Sequence, residues 1–347
     1  MAGTRTVAPE PSLAARPRFG RIGVGKSSRC LLHVTSRFLN ENDRGYALSR
    51  AGIAFDAQKR SQQGKIMTQK TIANHEVGGQ EFYAQTPANI PLFYDQGLGP
   101  VFFVDFANDI ARRAAAAAPL RVLEVAAGTG IASRRLRDFL PAEAHLVVTD
   151  LNSAMLDLAR TKFSPAEGVG FHSANALSLP FPDNGFDAVI CQFGVMFFPD
   201  KEKAYCEAYR VLTSGGHYLF SVWDSERHNP VARLIKDIVA RFCPADPPRF
   251  CEVPFAYHRI DPVRDLLDSV GFTGVNISVV SIRKSVADVS AFARGQVRGS
   301  PLFDELRVRG VDPDRVVDAL TELVVREFGS EPTRMPLRAI VFEARRP

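Results

Sequence analysis

The sequence predicts an α/β protein built on a doubly wound, seven-stranded, mostly parallel sheet, with helices on both faces and helical cap insertions. Two observations carry this expectation. From Arg121 onward, short apolar runs alternate with amphipathic segments, the pattern of strands joined by crossover helices. The first strand-to-helix turn, EVAAGTG (124–130), also holds small residues at alternate positions, where a ligand must approach the backbone at the carboxyl edge of such a sheet. With 347 residues, 46% of them apolar, the chain can fill one large core with insertions.

Each element follows from its residues. RVLEVA (121–126) reads as the first strand, and GTGIASRRLRDFL (128–140) opens a helix directly after it. HLVVTD (145–150) is the second strand, followed by the helix NSAMLDLARTKF (152–163), capped by Asn152 or Ser153. VGFHSA (169–174), FDAVICQF (186–193) and HYLFSVW (217–223) are the third to fifth strands. Between the last two lies the helix KEKAYCEAYRVL (201–212), stopped by Ser214-Gly215-Gly216. Asp261 is expected to cap a helix with Pro262 at its first position, an apolar face of Val263, Leu266, Leu267 and Val270, and an end at Gly271. VNISVVSI (275–282) and LRAIVFEA (337–344) complete the seven strands, giving a Rossmann-like sheet with its core over 120–225. Segments 228–257 and 286–335 fall outside this rhythm and read as cap elements over the site. VFFVDFANDIARRAAAAA (101–118) reads as a helical region ahead of the first strand.

The first 66 residues show no sustained apolar period and read as a disordered basic extension, with the functional domain over 67–347. They hold 12 Lys and Arg against 4 Asp and Glu, whereas the remaining 281 residues hold 31 against 34. The net charge of +5 therefore belongs to this extension, and no nucleic-acid partner is expected. An Arg- and Ser-rich leader resembles a transit peptide, but its acids and length weigh against one. A start at Met67 is favoured, because Gln63-Gly64-Lys65-Ile66 can be encoded by a purine-rich stretch suited to an internal start. Within the extension, GRIGVGKS (20–27) fits the phosphate-loop pattern G-x-x-x-x-G-K-[ST]. It follows PSLAARPRF rather than a buried strand, so Lys26 and Ser27 are not expected to hold a nucleotide. Deletion of residues 1–66 is expected to leave cofactor binding intact. No apolar run approaches the ~20 residues of a membrane span, so a soluble, cytoplasmic protein is expected. The five cysteines (Cys30, Cys191, Cys206, Cys243, Cys251) lack C-x-x-C spacing, and neither a disulfide framework nor a metal site is expected.

The turn EVAAGTG carries the chemistry. Ala126, Gly128 and Gly130 leave room for close approach of a ligand, and Asp150, ending the second strand, can accept both hydroxyls of a ribose. A nicotinamide dinucleotide and S-adenosylmethionine fit these features equally. Glu124 separates them, since a carboxylate at this turn repels a pyrophosphate in a poorly screened cleft but suits a ligand carrying an ammonium and a sulfonium. The dinucleotide pattern G-x-G-x-x-G also fails, with Ser133 in its last place.

On these residues the chain resembles the class I S-adenosylmethionine-dependent methyltransferases, in particular the small-molecule group related to ubiquinone and menaquinone biosynthesis, over about residues 81–283. The family loop E/D-x-G-x-G-x-G is similar to EVAAGTG, with Ala126 in place of the first glycine. The resemblance implies ribose binding by Asp150, with Leu151 and Met155 beside the adenine. ANALSLPFPDNGFDAV (174–189) resembles the family's D-A-x-x-L-P-F segment, with Asn175 in place of the acid that meets the adenine amino group; its amide oxygen can still accept that hydrogen bond. Gln192 and Phe193 hold the position that borders the transferable methyl, and RVLTSGGHYLFSVWD (210–224) is similar to a structural segment of the family. The implied cofactor-binding set is Glu124, Ala126, Gly128, Thr129, Gly130, Asp150, Leu151, Met155, Asn175, Ala176 and Gln192.

The expected function is methyl transfer from S-adenosylmethionine to a small, apolar or aromatic acceptor. Phe193, Met196, Phe197 and Phe198 are candidates for the acceptor wall, and the cap residues Phe250, Phe255 and Tyr257 point the same way. Tyr94 and His228 are candidate proton acceptors, but surface or packing roles suit both as well, and no catalytic base is assigned. An NAD(P)-dependent oxidoreductase and a non-catalytic cofactor-binding module stand as alternatives. Nothing in the sequence fixes an oligomeric state.

Overall fold

The computed structural model of the protein describes residues 89–330 and 332–347. The expectations placed on residues 1–66, including GRIGVGKS with Lys26 and Ser27, and on a start at Met67 lie outside the described residues.

A helical turn, Ile90–Phe93, runs into a π-helix, Tyr94–Phe103, and then into α1, Val104–Ala115. The sequence reads 101–118 as a helical region and assigns nothing to 90–100, where Gly97, Gly99 and Pro100 lie in the wider π winding, which is rare and concentrates at functional sites. The alternating core follows as β1 (Arg121–Glu124), α2 (Ile131–Phe139), β2 (His145–Asp150), α3 (Ser153–Arg160), β3 (Val169–Ser173), β4 (Phe186–Gln192), α4 (Lys201–Val211) and β5 (Leu212–Trp223). The remainder is α5 (Pro230–Phe242), a one-turn helix Val253–Ala256, α6 (Ile260–Val270), β6 (Thr273–Val286), α7 (Val289–Arg298), α8 (Leu302–Val308), α9 (Pro313–Phe328) and β7 (Thr333–Arg345).

The seven strands form one sheet in the order β3-β2-β1-β4-β5-β7-β6, parallel except at β7, which runs antiparallel to both β5 and β6. Side-chain alternation sends Val122, Leu146, Val148, Ala188, Ile190 and Leu219 to the face covered by α1, α2 and α3. Leu123, Val189, Cys191, Phe220 and Phe342 go to the opposite core, which includes α4 and α6. This is the doubly wound arrangement the sequence predicts.

Four boundaries differ from expectation for identifiable reasons. β1 stops at Glu124 rather than Ala126, because Ala126 turns the chain with φ 56. Helix α4 ends at Val211, and Leu212 to Gly216 belong to β5, whose register shifts between Phe186 and Ala188 of β4. Gly215, at φ 79, donates its N–H to the Arg346 carbonyl at 2.7 Å, so this stretch is an irregular strand end and not a helix stop. Helix α6 begins at Ile260 with Arg259 at the cap position, which places Asp261 inside the first turn, where its charge still faces the positive helix end. Its end at Gly271, φ 112, is as predicted.

β6 and β7 are longer than the sequence suggests. β5 pairs with β7 only as far as Trp223 opposite Ala339, while β6 and β7 continue together to Val286 opposite Thr333. The two-stranded ribbon thus extends past the carboxyl end of β5 and carries α7 to α9 with it. Asn229, fully buried at the start of the other cap segment, ties that segment to the ribbon: its Nδ2 donates to the Asp224 and Arg338 carbonyls at 2.8 and 3.0 Å, and its Oδ1 accepts from Arg338 N at 2.8 Å. Both cap segments are therefore anchored beyond the carboxyl end of β5 and on β7, on the side of the sheet that also carries the topological switch point between β1 and β4.

Candidate active site

One cavity occupies that switch point, walled by the loop after β1, the ends of β2, β4 and β5, the π-helix and both cap segments. Glu124 closes β1 between Val148 and Ile190, which leaves it 1% exposed. Burial pushes its carboxyl up to about 8; the Ser133 hydroxyl opposes that shift and the nearby Asp150 adds to it. Its Oε2 is buried with no hydrogen-bond partner. A buried acceptor without a donor is costly, so this oxygen is suited to a ligand that brings a donor or a positive charge.

The loop after Glu124 is held in unusual backbone geometry. Ala126 and Gly128 have φ 56 and 57, and Phe193, facing the same cavity from the end of β4, has φ 53. For alanine and phenylalanine the left-handed region costs about 1–3 kcal/mol each, and such outliers concentrate at binding sites. A Cβ added to Gly128 would meet nothing within 4 Å, since its α-carbon faces the open cavity. A Cβ on Gly130 would meet Ala159 Cβ at 2.7 Å. Gly130 therefore lets the start of α2 approach α3, and it is absent from the cavity wall, unlike the other ten residues of the expected set.

Asp150 is drawn into the loop. Its Oδ2 accepts from Gly128 N at 2.7 Å and its Oδ1 from Asn152 N at 2.8 Å. Burial raises its carboxyl above the usual value, and the amides of Asn152, Gly128 and Leu151 limit the shift. Asn152 also caps α3 through Oδ1, accepting from Ala154 and Met155 N at 2.9 and 3.3 Å, one of the two caps anticipated. The Thr129 hydroxyl donates to Asp95 Oδ1 at 2.6 Å, and the Lys162 ammonium pairs with that same oxygen. Asn175 Oδ1 accepts from Leu177 N at 2.9 Å, closing a local turn that leaves it one free lone pair. Gln192 donates from Nε2 to the Phe103 carbonyl at 3.3 Å, and its Oε1 is a second buried acceptor without a partner.

Beyond these polar groups the wall is aromatic. The Phe193 ring stacks on Trp223 at 4.1 Å, and Phe102 meets Trp223 edge-on at 5.3 Å. From the cap, Phe255 lies 5.9 Å from Trp223, while Phe197 stacks on Phe250 at 6.3 Å. Met196 and Phe198 complete the stretch that the sequence marks as a wall. Tyr257 lies elsewhere, its hydroxyl 3.2 Å from that of Tyr205.

Neither candidate base is set to act as one. His228 lies outside the wall, with Nδ1 3.2 Å from Asp224 Oδ2 and 3.3 Å from Ser225 Oγ. Tyr94 does line the cavity, but burial drives its phenol far above the usual range, and Asp150 and Asp95 add to the effect. It is protonated at neutral pH and available as a donor. Sequence reasoning missed Asp95, Phe102, Phe103, Trp223 and Gln296 as site residues. The lone tryptophan at the end of a central strand was a usable signal, whereas the others stand in stretches whose pattern does not single them out.

No lysine, arginine or histidine is among the described residues of the wall, and two acids are. This set of acceptors therefore fits a ligand with positive charge and ribose hydroxyls, and does not fit a pyrophosphate. Residues 123–220 match the methyltransferase domain family. This segment carries a methyltransferase domain. The chain is similar to a ubiquinone/menaquinone biosynthesis C-methyltransferase of Haemophilus ducreyi, 31% identical over 169 residues that cover 45% of the chain and 65% of the relative. It is likewise similar to a demethylmenaquinone methyltransferase of Deinococcus radiodurans, 44% identical over 30% of the chain and 46% of that relative. The chain thus spans less than two thirds of the length of these relatives. A solved phosphoethanolamine N-methyltransferase 2 of Haemonchus contortus superposes with a TM-score of 0.49 at 16% identity, over 74% of the present chain and 57% of the solved one.

Proposed function

We propose that this protein transfers a methyl group from S-adenosylmethionine to a small apolar or aromatic acceptor, and that the active domain runs from 67 to 347 with 228–257 and 286–335 as its caps. One observation carries the reading: a buried carboxyl without a partner among the described residues, Glu124, faces a cavity rich in aromatic side chains and free of basic residues among those described. In this reading Glu124 Oε2 receives the cofactor ammonium, and the open face at Ala126, Gly128 and Thr129 accommodates the methionine part. Asp150 keeps one lone pair on each oxygen for the ribose hydroxyls. Leu151, Met155, Asn175 and Ala176 enclose the adenine, and Gln192 Oε1 borders the reacting end.

The cofactor supplies an already activated methyl on its sulfonium. The work left to the chain is alignment: holding an acceptor atom in line at about 3 Å and excluding water accounts for much of the acceleration. Phe193, stacked on Trp223, and the cap residues Phe250 and Phe255 supply aromatic surface for a planar acceptor. The same reading makes the enzyme cytoplasmic and without a nucleic-acid partner. Among the described residues no helix is long and apolar enough to cross a membrane.

Incubation of the protein with isotopically labelled S-adenosylmethionine and a small-molecule extract of its host, read by mass spectrometry, is expected to give a product heavier by one labelled methyl. Binding of the cofactor without any labelled product would overturn the enzymatic reading. Asp150→Ala is expected to weaken S-adenosylhomocysteine binding at least tenfold, about 1.4 kcal/mol, as befits hydrogen bonds to a charged group. Unchanged affinity in calorimetry removes Asp150 from the site.

A further inference from the structure

Gln296 is a polar group of the cavity that the cofactor reading does not use. It lies on α7 within the second cap segment, outside the stretch 123–220 that matches the methyltransferase domain. It is 8% exposed, lines the cavity, and its Oε1 is buried without a hydrogen-bond partner among the described residues. A buried amide oxygen in that state calls for a donor from outside the chain.

The surroundings say which molecule brings the donor. Gln296 stands one turn after Phe292 on the same helix face. Phe292 meets Phe102 edge-on at 5.1 Å, Phe102 meets Trp223 at 5.3 Å, and Trp223 stacks on Phe193. The amide therefore borders the aromatic part of the cavity. Its helix is fixed by backbone packing: a Cβ on Gly295 would meet Gly97 Cα at 2.8 Å, and one on Gly299 would meet Tyr94 N at 2.6 Å. Ser300, beside it, is already engaged, donating to the Gln296 carbonyl at 2.6 Å. With α7 seated on the π-helix through glycines, the carboxamide is held at the cavity by its own backbone.

We infer that Gln296 is a specificity-determining residue, whose side-chain oxygen accepts a hydrogen bond from a hydroxyl or N–H of an aromatic acceptor. The inference rests on the acceptor reading proposed above and narrows it: the substrate is an arene with a polar hydrogen, and neither a plain hydrocarbon nor an anion. A site with a fixed acceptor discriminates against analogues lacking the matching donor, because their binding leaves the amide buried and unpaired.

The test uses the full chain loaded with S-adenosylhomocysteine and three probes of one shape: 4-hydroxybiphenyl, 4-methoxybiphenyl and biphenyl. Binding is read by calorimetry and by Trp223 fluorescence. The wild type is expected to bind the hydroxyl probe about tenfold more tightly than the other two. Gln296→Met is expected to erase that preference while leaving biphenyl and S-adenosylhomocysteine affinity unchanged, which also shows that the variant is folded. Gln296→Glu retains an acceptor and is expected to keep the preference. A preference that survives in Gln296→Met, or a loss of S-adenosylhomocysteine affinity without a change among the probes, overturns the assignment to the acceptor. Failure of all three probes to bind the wild type overturns the inference together with the aromatic-acceptor reading. Failure of S-adenosylhomocysteine to bind the wild type counts against the cofactor reading instead.

Discussion

At Glu124 one side chain couples proton, cofactor and stability. Its folded carboxyl titrates at about 8 against an ordinary 4.5, with burial as the main cause. A carboxyl raised in the folded state favours folding below its unfolded pKa, and that contribution is lost as pH climbs through the folded value. The ligand-free protein is therefore expected to lose stability between pH 5 and pH 8, and Glu124→Gln to flatten that slope, as thermal melts across the range will show. A bound ammonium reverses the preference by pairing with the ionised form. Calorimetry of S-adenosylhomocysteine at pH 7 in buffers of different ionisation enthalpy is expected to report release of most of one proton in the wild type and none in Glu124→Gln. Ala126 shows a different constraint. A Cβ on Gly194 would sit 2.6 Å from Ala126 Cβ and 2.7 Å from Cys191 Sγ, so the alanine in the loop requires a glycine across from it. Gly194→Ala is expected to cost about 1–3 kcal/mol in denaturant unfolding. The cost should shrink by at least about 0.5 kcal/mol in an Ala126→Gly background, because the two sites share one contact.

Among elements, the π-helix Tyr94–Phe103 is the one whose role was least legible. The strands and helices of 121–223 could be read because apolar alternation, caps and glycine turns agree there, and EVAAGTG with Asp150 marks one wall of the cavity. The π-helix could not, since Gly97, Gly99 and Pro100 spell a loop, while its wall residues Phe102 and Phe103 look like ordinary helix packing. The Asp261 cap failed for a smaller reason: a helix start is decided by local hydrogen bonding that one good capping residue does not dictate. Gln296 was illegible because one polar residue on an amphipathic helix is uninformative until its neighbours in space are known. The π-helix is tied to the cofactor loop through Asp95, which accepts from Thr129 Oγ1 and pairs with Lys162. Asp95→Ala leaves both partners unpaired and frees this element from the loop. It is expected to weaken S-adenosylhomocysteine binding by about three- to tenfold, a loss of roughly one hydrogen bond. Hydrogen exchange over residues 94–103 should rise with it, and unchanged exchange there would count against the tie.

For the described domain, the cavity is shared by the sheet edge, the π-helix and both caps, so a ligand that fills it binds only when all three are assembled. Mass action then sets the size of the effect: S-adenosylhomocysteine at a hundred times its Kd adds about 2.7 kcal/mol to unfolding, whatever the stability of the protein without it. For a domain of this size that corresponds to roughly 5–10 °C in Tm. Asn229 separates assembly from binding, since its carboxamide joins the first cap segment to β7 and touches no cavity residue by hydrogen bond. Asn229→Ala removes the partner of the Arg338 N–H and of the Asp224 carbonyl, while the Arg338 carbonyl keeps the Asp224 N–H, and is expected to lower stability by about 2–3 kcal/mol. Because that loss falls on the folded state with or without ligand, the increment from S-adenosylhomocysteine should be the same in Asn229→Ala as in the wild type, within one cooperative transition. A separate low-temperature transition in the variant that the ligand does not move would mean that the cap unfolds on its own, and that the cofactor site is complete without it.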